Sequence, residues 1–487
     1  MACAAAAHAG VLQGTVFESR SGRPLARARV TLDAAHGSSV DVSAAVLSDS
    51  SGQFTFTSLP AGAYLLAARK KGYAPVRFGQ RQWNAAGTPI VLDQNGQFRA
   101  ELRLKRFGVI TGEVLDENGL GLSDIAVYAY HAGARLRLTR SGVTDDRGSY
   151  RLSGLEPGRY YVRTAPRELE DRRGLLPTFF GQTAKLEDAR VVNVRIEEEV
   201  PGVDLEPLPG RLASLTGTLL GSGPATVRLY GDLVTRDARI TPGGVFVFDG
   251  LAPGNYEVLA ESGSGDAVLT AHQRVYVGGG QKVVQLELGP APKVRIRCEG
   301  TSGEPLDTRP ISIFLRRRED PSGANPQQAV CGGPVALAPG RWELAAAAPP
   351  ELYVASIANA ERGPEGYEFT LAARRDHQLV LTFGSNPAIV HGKVTTPDGQ
   401  QAIGAPVFLY PLDGETRSRT GGIRTARAGQ DGTFRIPGIP PGRYEVLSSF
   451  QVTDDPGTRW PLGRGTSLAL EEGTEKALDL DLIDFEP

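Results

Sequence analysis

One pattern recurs five times along this 487-residue chain, and it limits what the chain can fold into. It reads SDSSGQFTFTSLPAGAYLL from Ser48, TDDRGSYRLSGLEPGRYYV from Thr144, TPGGVFVFDGLAPGNYEV from Thr241 and GQDGTFRIPGIPPGRYEV from Gly429. A degraded copy, CGGPVALAPGRWEL, starts at Cys331. The equivalent glycines Gly62, Gly158, Gly254, Gly340 and Gly442 stand 96, 96, 86 and 102 residues apart. A period of that size is a domain repeat, longer than a solenoid unit.

Each copy has a physical reading. A polar turn such as Asp145-Asp146-Arg147-Gly148 opens a strand of alternating apolar residues, for example Phe54-Thr55-Phe56. Pro-Gly then makes a turn, in which Pro presets one φ and Gly accepts a positive one. An aromatic residue begins the next strand: Tyr64, Tyr160, Tyr256, Trp342 or Tyr444. Such a ring suits the space between two sheets, with its polar atom reaching backbone. Upstream stands a strand led by glycine, at Gly14, Gly112, Gly217 and Gly392. Downstream lies a closing strand, clearest as Leu478-Asp479-Leu480-Asp481-Leu482, whose period of two marks one wet face. Short strands and frequent turns predict antiparallel sandwiches with little helix.

The joints are short and rich in Pro or Gly: Pro207-Leu208-Pro209-Gly210, Gly289-Pro290-Ala291-Pro292 and Gly384-Ser385-Asn386-Pro387. Stiff joints predict an extended string of beads. The expected domains run 10–106, 107–208, 209–290, 291–384 and 385–487. Residues 1–9, with Ala7-His8-Ala9 before Gly10, look like the cleavage end of a signal peptide.

These motifs resemble the carboxypeptidase regulatory-like domain: G-x-V, then A-x-V-x-L, then T-D-x-x-G-x-Y-x-L, then L-x-P-G-x-Y-x-V. Copies one, two and five match best, copy three is shorter, and copy four lacks the leading glycine and the acidic turn. Phe78-Gly79-Gln80 and Phe180-Gly181-Gln182 resemble tandem versions found in soil bacteria. The resemblance implies an all-β fold, a tandem array of about five seven-strand transthyretin-like (Ig-like) β-sandwiches, grouped with carbohydrate-binding-like folds. It implies no activity, because fold does not fix function. It places the chain outside the bacterial cell: secreted, periplasmic or at the cell surface.

The chemistry-bearing residues are sparse. No G-x-S-x-G elbow, H-E-x-x-H pair or P-loop occurs. The six histidines, His8, His36, His131, His272, His377 and His391, are scattered without a partner at metal spacing. No catalytic, cofactor-binding or metal site is expected, and the chain reads as non-enzymatic. With 53 basic and 55 acidic residues, charge gives no case for nucleic acid. No apolar run is long enough to span a membrane. Arg316-Arg317-Arg318 is assigned no role. The acidic turns at Asp49, Asp145 and Asp431 are ordinary turn chemistry before they are calcium ligands.

Two features carry sharper expectations. Trp83, Phe179, Phe180 and Trp460 lie in loops after the Pro-Gly-aromatic strand, where large rings suit sugar contact. Cys298 and Cys331 both fall in copy four, whose eroded motif suggests a poor core, so a cross-link between them is expected. The leading functional reading is a structural, adhesive or interaction protein of the cell envelope. The alternatives are a polysaccharide-binding protein using the loop aromatics, or an accessory subunit of an envelope enzyme or transporter.

Overall fold

The computed structural model describes residues 10–485 apart from 36–39, 134–135, 170–172, 222–223, 232, 305, 321–325, 364–365, 415, 418–421 and 454–459. The tail 1–9 and its cleavage pattern therefore lie outside the described residues. Strands dominate, and helical structure among the described residues is limited to short single turns such as Leu186–Asp188 and Gly265–Ala267.

The chain folds as five two-sheet sandwiches. In the first unit, Gly10–Glu18 lies between Gln53–Leu59, antiparallel to it, and Gln97–Leu104, parallel to it. The facing sheet orders Ser43–Leu47, Arg29–Ala34, Gly62–Arg69 and Val76–Arg77, with Ile90–Leu92 also paired to Gly62–Arg69. The same plan recurs four times, with Gly108–Glu113, Ala213–Leu220, Lys293–Gly300 and Ala388–Thr395 as the central strands. Alternation decides the faces: in Gln53–Leu59, Phe54 and Phe56 are buried while Gln53 and Thr55 are exposed.

Fully antiparallel sheets were expected, and this is corrected. In every unit the closing strand runs parallel to the first. The chain reaches it by crossing from the opposite sheet, and such a crossover permits a parallel pair where a hairpin does not. This pairing explains Gly14, Gly112 and Gly392, whereas at Gly217 a Cβ would meet the Phe246 ring at 2.1 Å. A Cβ on Gly14 would lie 2.1 Å from the Ala100 carbonyl oxygen, and one on Gly392 would lie 1.9 Å from that of Leu478. Only a residue without a side chain lets the closing strand approach so closely.

Each sandwich has its own core, represented by Leu12, Tyr64 and Leu102 in the first unit and by Val390, Leu409 and Tyr444 in the fifth. The fourth core is not poor, contrary to what its eroded motif suggests. Trp342, Tyr367, Phe369 and Phe383 fill it, three of them at positions the repeat does not mark. The exposed surface is 25166 Å². A compact globule of this mass would expose about 17,000 Å², and five separate small ones about 27,000 Å². The units are therefore separate beads with small contacts between them.

The expected extended string needs one correction: the last unit touches the first. Arg81 pairs with Asp484, and a Cβ on Gly404 would lie 2.4 Å from the Pro89 ring. One joint is tied down by pairing: Pro209–Arg211 adds a strand to Arg173–Leu175.

Candidate functional site

The five marked aromatics share one geometry. Tyr64, Tyr160, Tyr256, Trp342 and Tyr444 are all buried at 4% exposure or less. Each donates a hydrogen bond to the carbonyl four residues earlier: to Pro60 at 2.7 Å, Glu156 at 2.8 Å, Ala252 at 2.8 Å, Ala338 at 2.9 Å and Pro440 at 2.6 Å. The ring fills the space between the sheets while its polar atom closes the Pro-Gly turn. Burial pushes the Tyr160 hydroxyl up to about 12, with the nearby Glu156 adding to the rise. These side chains hold turns in place and offer no reactive group.

The loop aromatics are divided by the structure. Phe179 and Trp460, expected as surface contacts, are buried at 3% and 6% exposure, and that expectation is corrected. The Arg163 guanidinium lies over the Phe179 ring at 4.9 Å. Trp460 stacks on Tyr410 at 4.7 Å with Phe408 beside it. Each loop folds back because the sheet's outer surface supplies another ring to cover. Phe180 is half-buried against its own core, with Arg190 near its face. Trp83 is half-buried and meets Phe107 edge-on at 5.9 Å, where the first unit joins the second. The four rings lie on two different sandwiches and a joint, and form no common platform.

Cys298 and Cys331 are joined by a disulfide with Cα atoms 5.6 Å apart, tying the central strand of the fourth unit to the turn before Pro334–Ala336. In the acidic turns, Asp49 Oδ1 accepts the amides of Ser51 and Gln53, and Asp145 Oδ1 those of Arg147 and Ser149. Asp431 Oδ1 accepts the amide and hydroxyl of Thr433. These oxygens hold their own turns. Among the described residues, no three His, Cys, Asp or Glu side chains are grouped to hold a metal.

The densest polar cluster was missed by sequence reasoning. It lies where the third unit meets the fourth, and its centre is Arg317, in the run assigned no role. Arg317 is on Ser312–Arg317, with its side chain 7% exposed. Its Nη2 reaches Glu257 of the third unit at 3.4 Å, and its Nε reaches Glu319 at 3.4 Å. Its guanidinium lies 4.9 Å from the centre of the Tyr230 ring. Gly340, the turn glycine of this copy, makes room: at φ +143°, a Cβ there would lie 2.6 Å from Arg317 Nη2. Glu257 also receives Arg274 at 2.7 Å and His272 at 3.4 Å. Burial works against ionisation of Glu257, but hydrogen bonds from His272 and Arg274 outweigh it and bring its carboxyl down to about 2. Arg316 pairs with Glu343 at 2.6 Å and Arg318 with Glu368 at 3.0 Å. Tyr230, Leu259 and Ala338 form an apolar patch beside the ions. A cleft of about 570 Å³ opens next to it, lined by Tyr276, Arg274, Glu319 and Arg341 among others. The chemistry of this cluster is charge compensation across a joint. Nothing in the sequence signals it except the arginine run, because Glu257 and Tyr230 come from another unit.

The fold and these joints define a tandem β-sandwich protein. Its first unit, residues 11–105, matches the carboxypeptidase regulatory-like domain family. None of the curated proteins compared matches the chain. Solved structures that share some likeness include GBS52, the minor pilin of Streptococcus agalactiae, at 15% identity and a TM-score of 0.26, covering 41% of this chain and 95% of that one. The shaft pilin SpaA from Lactobacillus rhamnosus GG matches at 14% identity and a TM-score of 0.26, covering 42% of this chain and 98% of that one. BcpA, the major pilin subunit of Bacillus cereus, matches at 10% identity and a TM-score of 0.17, covering 97% and 99%. No helix among the described residues is long and apolar enough to cross a membrane.

Proposed function

We propose that this chain is a non-enzymatic scaffold of the bacterial exterior, secreted, periplasmic or at the cell surface, with a structural, adhesive or interaction role. Its five domains run 10–106, 107–208, 209–290, 291–384 and 385–487. The observation that carries this reading is the pairing of five separate cores with a surface of 25166 Å², far above that of one compact globule. A chain built this way spends its length on displayed surface, and its best-organised polar residues set the angle of a joint.

The test has two arms. Protease shaving of intact cells that make the protein should release its fragments, and a purely cytoplasmic pool would overturn the location. A glycan array with the full chain separates the scaffold from the polysaccharide reading. Binding abolished by Trp83→Ala or Phe180→Ala would return the second reading, which now rests on those two half-buried rings. Turnover of any polysaccharide or peptide substrate by the pure chain would overturn the non-enzymatic role.

A further inference from the structure

The cleft between the third and fourth units, about 570 Å³, has the size of small-molecule sites, roughly 300–1,000 Å³. One wall is the outer face of the third unit's five-stranded sheet. There Asn255 and Glu257 of Gly254–Ser262 pair in register with Tyr276 and Arg274 of Leu269–Val277. Alternation turns these side chains away from the core, which takes Tyr256, Val258, Val275 and Val277 instead. Glu319 and Arg341 of the fourth unit form the other wall. Tyr276 is 63% exposed, so its ring is a flat apolar surface open to the cleft.

Burial sorts the charges of this cleft. The carboxylates of Glu257 and Glu319 are largely covered, and the buried Arg317 behind them reaches both at 3.4 Å. Arg274 and Arg341 stand outside, 62% and 57% exposed. Each is anchored through its Nε, Arg274 to Glu257 at 2.7 Å and Arg341 to Glu319 at 3.3 Å. Neither makes a hydrogen bond through its Nη atoms among the described residues. The buried acids therefore hold two guanidiniums in place, one from each unit, and leave their outer donors open. A ligand meets cations and an aromatic ring, with the acids already compensated.

We propose that this cleft binds an acidic polysaccharide built of uronic acids, with one sugar ring packed on Tyr276 and carboxylates held by Arg274 and Arg341. The C–H face of a pyranose is apolar and packs flat on an aromatic ring. A guanidinium matches a carboxylate in charge and in planar donor geometry. The exposed Asn255 beside Tyr276 carries an amide that both donates and accepts, as hydroxyl partners require. A neutral sugar would leave the two cations unused, and an acidic peptide would leave the ring unused. The proposal goes beyond the scaffold reading, which stands without any ligand, and it uses none of the loop aromatics.

Titration calorimetry of the full chain with a galacturonic-acid oligomer tests it. The expected result is binding that weakens as salt rises and falls by at least about tenfold in Tyr276→Ala and in Arg341→Gln. Tyr276→Phe, which keeps the ring, should bind as the parent does. So should Trp83→Ala and Phe180→Ala, which lie on other units, and this separates the cleft from the loop aromatics. A melting profile like that of the parent chain shows that each variant folds. The methyl-esterified oligomer, with its charge removed, and poly-glutamate, with no sugar ring, should each bind at least about tenfold more weakly. No binding of the oligomer up to about 1 mM overturns the proposal. So does binding that survives either Tyr276→Ala or Arg341→Gln, or poly-glutamate or the neutral ester binding as tightly as the acid.

Discussion

Two contacts between sandwiches are built on the same chemistry, an arginine meeting a carboxylate, and they have opposite characters. At the joint of the third and fourth units, Arg317 is 7% exposed and Glu257 15%. Where the last unit touches the first, Arg81 and Asp484 are 57% and 58% exposed. Burial changes what each pair does. An exposed pair is worth about 0–1 kcal/mol because water and salt compete for both ions. A buried pair adds little net stability as a pair, yet removing one member strands the other away from water. The inner joint is therefore a fixed angle and the end contact a weak latch.

The largest effect should come from removing the buried cation that two carboxylates share. Arg317→Leu should cost about 3–5 kcal/mol, because Glu257 and Glu319 each lose a buried partner, Glu257 keeping Arg274 and His272 and Glu319 keeping Arg341. In calorimetry the third and fourth units should melt together in the parent chain and separately in the variant. An unchanged profile would mean that the joint is hydrated.

Next is the disulfide within the fourth unit. Reducing Cys298–Cys331, a separation of 33 residues, should cost that unit about 3–4 kcal/mol on the chain-entropy model. The transition assigned to the fourth unit should fall with reductant while those of the first and fifth stay in place. Non-reducing peptide mapping would report the bond directly.

Acid should loosen the third unit's side of the inner joint, where His272 and Arg274 hold Glu257, in a defined window. The Glu257 carboxyl is brought to about 2 in the folded chain against an ordinary 4.5. A depressed folded value means that this stabilisation is complete above pH 4.5 and is lost as pH falls from there toward 2. Hydrogen exchange at Val227–Tyr230 and Leu315–Arg317 should accelerate across that window.

The smallest effect belongs to the latch. Arg81→Ala should change stability by no more than about 1 kcal/mol. The distance between labels on the first and fifth units should nevertheless lengthen. Salt at about 1 M, where the screening length is about 3 Å, should lengthen it in the parent chain too. The radius of gyration should then rise further above the roughly 23 Å of a compact chain of this length. A label distance that ignores both changes would assign the contact to Pro89 and Gly404 alone.

How much of this was legible follows from the range of each interaction. The aromatic corner was readable because donor and acceptor are four residues apart, and the motif holds both. The Cys298–Cys331 pairing was named from two residues in one copy, although the reason offered for it, a poor core, was wrong. Phe179 and Trp460 were misread because a ring in a loop looks the same in sequence whether it faces water or folds back. Trp460 is covered by Tyr410 and Phe408, 50 and 52 residues earlier in the chain, and only the fold brings them together.

The sequence by itself determined the number of sandwiches, the faces of their strands and the aromatic that closes each turn. Those depend on a period of two, on turn residues and on contacts a few positions apart, all written locally. The tertiary structure alone decided that the closing strand runs parallel to the first, that Arg317 joins two units, and that the fifth unit returns to the first. Arg317 and Glu257 are 60 residues apart, and Arg81 and Asp484 are 403 apart. Pairing at such separations is set by the angles of the joints and by which surfaces remain uncovered, and no local pattern of residues encodes either.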